Sequence, residues 1–370
     1  MSEPSSLRRR ADAFGIATSH TEIGGRRRQV PPETLHAVID ALGGSQTTLA
    51  ELEARREAEL APAIVPSFAP APVRVRLNAA VLAGNEIEWT LTGEERELAG
   101  RCAVGELDTH ADQLTLALPA LTPGYYTLRI TAGDTKAETL LIRAPEKAWL
   151  PETPERGYGF SIQLYEQFGP ESIGIGDFTD LAGLGEAAGR MGAATLGINP
   201  LHALFLSAPE RASPYSPNSR LALNPLYLDV RGLPGVTDAM RQRLEGPAFA
   251  ARQKALNAQA LVGYPAVARI KLEIAREAHA NFRAAGGDPA CERFIRESEP
   301  GVKAWARYET IASGYGANFN DWPQALRDPG GAAGEHFVKE REQACHFYYW
   351  LQWQADAQLA AAARRAGDAG

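Results

Sequence analysis

The sequence predicts a multidomain α/β protein: an N-terminal helical segment, an antiparallel β-sandwich, and then a parallel βαβ unit that runs into a long helical tail. Three observations carry that expectation. The hydrophobic period switches from helical to alternating near residue 73 and returns to helical after residue 165. A proline-dense stretch separates the first two regimes. At 370 residues the chain is long enough for two or three domains of roughly 150 residues, and its 45% hydrophobic content supplies their cores.

Residues 1–60 are expected to be helical. Leu35, Val38, Ile39 and Leu42 recur at i, i+3, i+4 and i+7 behind Pro31 and Pro32, with Gly43 and Gly44 as the stop. Leu7 to Phe14 is a second helix candidate, and TEIGGRRRQV between them reads as a hairpin or a loop. Residues 61–72, APAIVPSFAPAP, hold four prolines that fix φ and remove backbone donors, so a linker is expected there. From residue 73 to 147 the period is two. Val73/Val75/Leu77, Ile87/Trp89/Leu91, Leu114/Leu116/Leu118 and Tyr126/Leu128/Ile130 each alternate in and out, with AGN, TGEE, TPG and AGD as turns. That pattern predicts a small antiparallel β-sandwich. It is a spacer or a binding module by sequence, and the spacer reading needs fewer assumptions.

From residue 156 the pattern changes again after LPETPE. GFSIQLY is a short apolar run, a Gly-rich loop follows to Asp177, then Leu181, Leu184, Ala188 and Met191 keep helical spacing, and ATLGI is a second run. Strand, helix and strand in that order make a parallel βαβ unit, whose strand C-termini are where such folds place their chemistry. Residues 236–345 are rich in Ala, Glu, Arg and Gln and are expected as a helical insertion. ARIKLEIAREAHANF and HFYYWLQWQADAQLAAAARRAG are the clearest helices of this half.

Composition excludes several classes. Asp and Glu number 45 against 38 Lys and Arg, a net charge of -7 with no basic face, so neither nucleic acid nor a membrane surface is an expected partner. The N-terminus lacks the apolar core of a signal peptide, and no stretch approaches the roughly 18 apolar residues of a spanning helix, so a cytoplasmic protein is expected. Cys102, Cys291 and Cys345 form no CxxC and read as ordinary reduced thiols. Gly174-Ile-Gly176 lacks the third glycine of a dinucleotide fingerprint, and there is no Walker loop, HExxH or GxSxG. Neither a metal nor an organic cofactor is expected.

What remains is LYEQFGPESIGIGDFTDL together with GINPLHALFLSAPERASPYSPNSRLALNPLYLDV, a density of Asn, His, Ser, Tyr, Arg and Asp unusual for a structural connection. Tyr215 offers a flat face to a sugar ring. Ser213, Ser216, Asn199 and Arg220 offer hydroxyl, amide and guanidinium groups to sugar hydroxyls. His202 and Asp177 complete the candidate set, although an Asp before a helix is explained by capping alone, His202 fits a satisfied structural role, and Arg220 has an alternative partner in Asp229. Pro214 and Pro217 restrict the backbone on both sides of Tyr215. Tyr348, Tyr349, Trp350 and Trp353 recur within one helix and read as packing.

These segments resemble the amylomaltases, the 4-α-glucanotransferase family of glycoside hydrolases. The matching motifs are Gln163-Leu164-Tyr165, Gly174 to Leu181, Asn199 to Leu204, Ser213 to Arg220 and Asn224 to Val230, in the family's order. Weaker similarity runs through LPALTPGYYTLRI, YPAVARIK, VKAWARYETI and FYYWLQWQADAQL, so it touches nearly the whole chain. The sequence departs at Ile173, where the family pattern has Trp, and at Gly263, where Asp is frequent. The resemblance implies a (β/α)8 TIM barrel, here only its incomplete start, and transfer of α-1,4-glucan segments with retention of configuration. Such chemistry needs two carboxyl groups roughly 5 Å apart. In the family, an Asp nucleophile, a Glu acid/base and an Asp stabiliser follow the fourth, fifth and seventh barrel strands. Residues 156–370 supply the first two strands and match none of those motifs, so no catalytic residue is assigned. The chain is expected to be a truncated piece, inactive alone on maltotriose, with maltooligosaccharides or other α-1,4-glucans as partners. A non-catalytic maltooligosaccharide-binding protein is the alternative, and an assembly domain without sugar affinity a third.

Overall fold

In the computed structural model, which describes residues 3–44, 47–82, 84, 86–94, 97–110, 113–149 and 157–370, the chain divides into two units, Met1–Thr153 and Pro154–Gly370. The boundary expected at LPETPE falls on residues 150–155, outside the described residues.

The first unit opens with helix α1 (Glu3–Ala13), a hairpin of β1 (Ser19–Thr21) and β2 (Arg27–Gln29), then α2 (Pro32–Ala41) and α3 (Leu49–Ala58). Leu7 and Ala11 of α1 meet Leu35 and Ile39 of α2 in a small core. Val38 and Leu42, which the helical period puts on the same face, are exposed, because so small a cluster covers only a narrow stripe of the helix. The sandwich follows as β3 (Ile64–Phe68), β4 (Arg74–Arg76), β5 (Glu86–Thr92), β6 (Glu97–Ala103), β7 (Asp108–His110), β8 (Gln113–Ala117), β9 (Gly124–Ala132) and β10 (Thr135–Ala144). One sheet runs β3-β10-β9-β5-β6 and the other β4-β8-β7. Alternation places Val73, Val75, Ile87, Trp89, Leu91, Leu116, Leu128 and Ile130 in the core between them. The Tyr126 hydroxyl donates to the Thr122 carbonyl at 2.9 Å and pins the turn that enters β9.

The proline-rich stretch 61–72, expected as a linker, instead carries β3, which pairs parallel with β10 from Ile64↔Leu140 to Phe68↔Ala144. The reason is position. As the edge of its sheet β3 needs ladder bonds on one side only, so Pro66, which has no N–H to give, is tolerated within it.

In the second unit, β11 (Gly159–Ile162), α4 (Phe178–Arg190) and β12 (Thr195–Ile198) form the βαβ unit, and the two strands pair in parallel from Gly159↔Thr195 to Ile162↔Ile198. A short ribbon of β13 (His202–Ala203) and β14 (Ser219–Leu223) closes the loop that leaves β12. Seven helices follow: α5 (Asp238–Glu245), α6 (Pro247–Asn257), α7 (Tyr264–Ala284), α8 (Pro289–Glu297), α9 (Pro300–Tyr315), α10 (Ala332–Glu340) and α11 (Glu342–Asp368). Helix α11 packs along α4, and Gly185 lets the Ala366 turn approach closely. Their shared core holds Phe178, Leu181, Tyr227, Val267, Ile274, Tyr348, Trp350 and Leu351.

Candidate functional site

The loop between β11 and α4 is shaped by its glycines. Gly174 takes φ of 68°, a left-handed conformation that an L side chain strains to adopt, and a Cβ on Gly176 would collide with the carbonyls of Leu164 and Gln167. Helix α6 holds this loop from outside. Asn257 accepts from the Gly174 N–H at 2.6 Å and donates to the Ser172 carbonyl at 2.9 Å, while Gln253 donates to the carbonyls of Pro170 and Ser172. Asp177 then caps α4: its Oδ1 accepts from the N–H groups of Thr179 (3.0 Å) and Asp180 (3.3 Å), and Asp180 reaches back to the Asp177 N–H. Its other oxygen lies 3.5 Å from the Lys271 ammonium. Lys271 is 1% exposed and donates to the carbonyls of Leu226 (2.9 Å) and Leu228 (2.8 Å). Burial raises the Asp177 carboxyl and lowers the Lys271 ammonium.

The exit of β12 is equally constrained. Asn199 accepts from the Leu164 N–H (2.7 Å) and donates to the Pro200 carbonyl and the Tyr227 hydroxyl, so its amide ties the ends of β11 and β12 to the 224–230 segment. Helix α11 grips that segment with two side-chain amides. Gln352 accepts from the Leu223 N–H and donates to the Leu223 carbonyl (2.8 and 2.7 Å), and Gln358 does the same at Asp229 (2.8 and 3.0 Å).

Between β13 and β14 the chain makes a long loop, residues 204–218. The Asn218 N–H donates to the Ala203 carbonyl at 2.8 Å and shuts its base. Ser213, Tyr215 and Ser216 stand exposed near its tip, Tyr215 at 66%, with a turn from the Ser213 carbonyl to the Ser216 N–H. Burial, Glu166 and the nearby Tyr215 push the Tyr165 phenol up.

The seven predicted residues thus separate into three groups. Asn199, His202 and Arg220 line one cavity of about 720 Å3 with Leu201, Leu223 and Phe294. Ser213, Tyr215 and Ser216 lie outside it on the loop. Asp177 is buried at the start of α4, where capping and the Lys271 contact account for it. Asp229, the alternative partner of Arg220, accepts instead from Thr179 Oγ1 (3.1 Å) and the Arg231 N–H (3.0 Å). Sequence reasoning missed Lys271, Gln352, Gln358 and Glu309, and it missed three carboxylates on the cavity wall, Glu297, Glu299 and Asp356. Among the described residues no group of three His, Cys, Asp or Glu side chains is placed to hold a metal ion.

Comparison with known proteins follows this geometry. The family profile of 4-alpha-glucanotransferase matches residues 162–370, more than half of the chain and the whole of the site just described. The chain belongs to the 4-alpha-glucanotransferase family. The profile of the MalQ N-terminal beta sandwich domain matches residues 60–145, the two sheets of the sandwich. A 4-alpha-glucanotransferase of Mycobacterium tuberculosis (strain ATCC 25618 / H37Rv) is 32% identical over 390 residues, covering 97% of this chain and 53% of that protein. One from Haemophilus influenzae is 27% identical over 382 residues, covering 96% and 52%. The crystal structure of amylomaltase from Corynebacterium glutamicum shares the fold, with a TM-score of 0.71 at 23% identity over 99% of this chain and 53% of that one. The chain therefore spans about half the length of the curated family members it matches. It carries the family's β-rich N-terminal domain and the segment that holds the 204–218 loop.

Proposed function

We propose that this chain carries the glucan-holding part of a cytoplasmic 4-alpha-glucanotransferase of maltodextrin metabolism, which moves α-1,4-glucan segments by retaining double displacement. The observation that supports this most is the family match from residue 162 to 370, because it covers the strand ends, the GIGDF loop and the 204–218 loop together. In this reading β11, α4 and β12 are the first strand, helix and strand of a (β/α)8 barrel, and residues 236–345 are a helical insertion. Residues 73–147, extended by β3, are the sandwich.

Within that frame the side chains take distinct tasks. Tyr215 presents its ring to a glucose face, where stacked C–H groups meet the aromatic surface, and Ser213 and Ser216 on either side exchange hydrogen bonds with ring hydroxyls. His202 and Arg220 reach the same sugar chain from the cavity rim. Asn199 and Asp177 act from behind, holding the strand ends and the GIGDF loop. Glu297, Glu299 and Asp356 match none of the family's catalytic motifs, and no acid, base or nucleophile is assigned to them.

The test is calorimetric titration of the 370-residue chain with maltoheptaose, alongside glucose release from maltotriose. The reading expects saturable heat and no glucose. Absence of heat would remove the glucan site, and robust turnover would remove the assignment of catalysis to residues other than these.

A further inference from the structure

Glu309 is a carboxylic acid in an unusual place. It projects from the middle of α9, is 1% exposed, and among the described residues its surroundings supply one side-chain hydrogen bond, a nearby backbone N–H and no cation. Oε1 accepts from the Asn218 side-chain amide at 2.7 Å, and the Leu206 backbone N–H lies near enough to the carboxyl to favour its ionised form. Those two donors stand on opposite legs of the 204–218 loop, one just after β13 and the other just before β14. Helix α9 itself is seated firmly on the ribbon: at Gly301 a Cβ would run into the Leu221 side chain. A buried acid without a cation is costly, and burial pushes its carboxyl up to about 8. A leucine or methionine would fill the same space without that cost, so packing alone does not account for the residue.

We propose that Glu309 is the positioning residue of the 204–218 loop: from a rigid helix it ties down the leg before β14 through Asn218 while facing the leg after β13 at Leu206, and thereby sets where Tyr215, Ser213 and Ser216 stand. Clasping is geometric and holds whatever the loop binds. Its consequence for sugar affinity rests on the glucan reading above. Loss of the Asn218 bond frees that leg, and the exposed tip, with its own turn from Ser213 to Ser216, then samples a wider range of positions. The titratable groups facing it are Tyr308 on its own helix, beside Arg211, and Tyr348 on α11. Burial keeps both phenols neutral far above the range in which Glu309 titrates.

Amide hydrogen exchange read by mass spectrometry on the 370-residue chain tests this, with Glu309→Gln and Asn218→Ala. Glutamine keeps an acceptor for Asn218 but turns an N–H toward the Leu206 N–H; Asn218→Ala removes the other leg's bond from a more accessible side chain. Each variant is expected to speed exchange in peptides from 204–218 on the order of tenfold while α9 and α11 keep their protection, with the double variant no faster than the faster single one. In the wild type, loop protection, corrected for intrinsic exchange, falls as pH climbs from 4.5 toward about 8, because opening the loop rehydrates Glu309 and lets its carboxyl ionise, and in Glu309→Gln that fall is absent. Unchanged loop exchange in both variants, or loosening spread equally into α9 and α11, overturns the proposal. The maltoheptaose titration is run on the same samples. A loop that loosens in a chain that binds no maltoheptaose supports the clasp and removes the glucan reading, so the two failures are distinguishable.

Discussion

Lys271 and Asp177 form a pair whose members are almost fully withdrawn from water, and the lysine alone satisfies two carbonyls of the 224–230 segment. Lys271→Met leaves a buried carboxylate and two unpaired carbonyls, and unfolding in denaturant should show a loss of about 3–5 kcal/mol. Adding Asp177→Asn should recover part of it, since the amide keeps the helix cap without the charge. A loss under about 1 kcal/mol would show that the pair contributes little. Glu309 makes a prediction of its own with pH. An acid whose pKa rises on folding, here from 4.5 to about 8, binds its proton more tightly in the folded chain. Its contribution to stability is therefore complete below pH 4.5 and declines as pH rises toward about 8, with a slope of up to about 1.4 kcal/mol per pH unit. Stability measured across that range should fall more steeply in the wild type than in Glu309→Gln, and parallel slopes would contradict the assignment. Both residues were hidden in helices that the sequence marks only by a composition rich in Ala, Glu, Arg and Gln. The signal was present in the spacing: Lys271 sits four residues after Val267 and three before Ile274, and Glu309 four after Trp305, on the buried stripes of α7 and α9.

At the scale of elements, α11 does more than pack against α4. Gln352 and Gln358 are six residues apart and grip Leu223 and Asp229, also six apart; the segment keeps pace with the helix because a 3-10 turn at Pro225–Tyr227 shortens it there. Gln352→Ala leaves a backbone N–H and carbonyl unpaired on the segment and should cost about 1–3 kcal/mol, with faster hydrogen exchange confined to residues near 223. An effect below about 0.5 kcal/mol would mean that water replaces the amide without penalty. Elements with a clean period were legible in the sequence. The strands of the sandwich, α2, α7 and α11 lie where alternation or helical spacing put them, because one face of each is buried. β3 was not legible, since its prolines looked like a break and only the sheet order reveals that it is an edge. The helical spacing of Tyr348, Tyr349, Trp350 and Trp353 reads as packing, and Tyr348 and Trp350 are buried in the core, with Tyr349 and Trp353 packed partly buried against it.

For the molecule as a whole, the sequence carried the division into a β-rich first half and an α/β second half, and the family followed from motifs that fold into one contiguous region. The candidate site was legible only in outline. Composition marks a polar loop, but which of its amides are free depends on contacts from α6, α7, α9 and α11, more than 25 positions away in the chain. Asn199 shows the difference: as a residue type it suits a sugar hydroxyl, and in the fold all its hydrogen bonds run to Leu164, Pro200 and Tyr227. The exposed triplet at the loop tip keeps its groups turned outward, so the central claim is that Tyr215 and its neighbours form a glucan-holding surface. The most direct measurement is the maltoheptaose titration repeated with Tyr215→Ala. The account predicts saturable binding to the wild-type chain that weakens at least about tenfold in the variant, in keeping with the loss of one stacked ring. Binding of equal strength in both would contradict it.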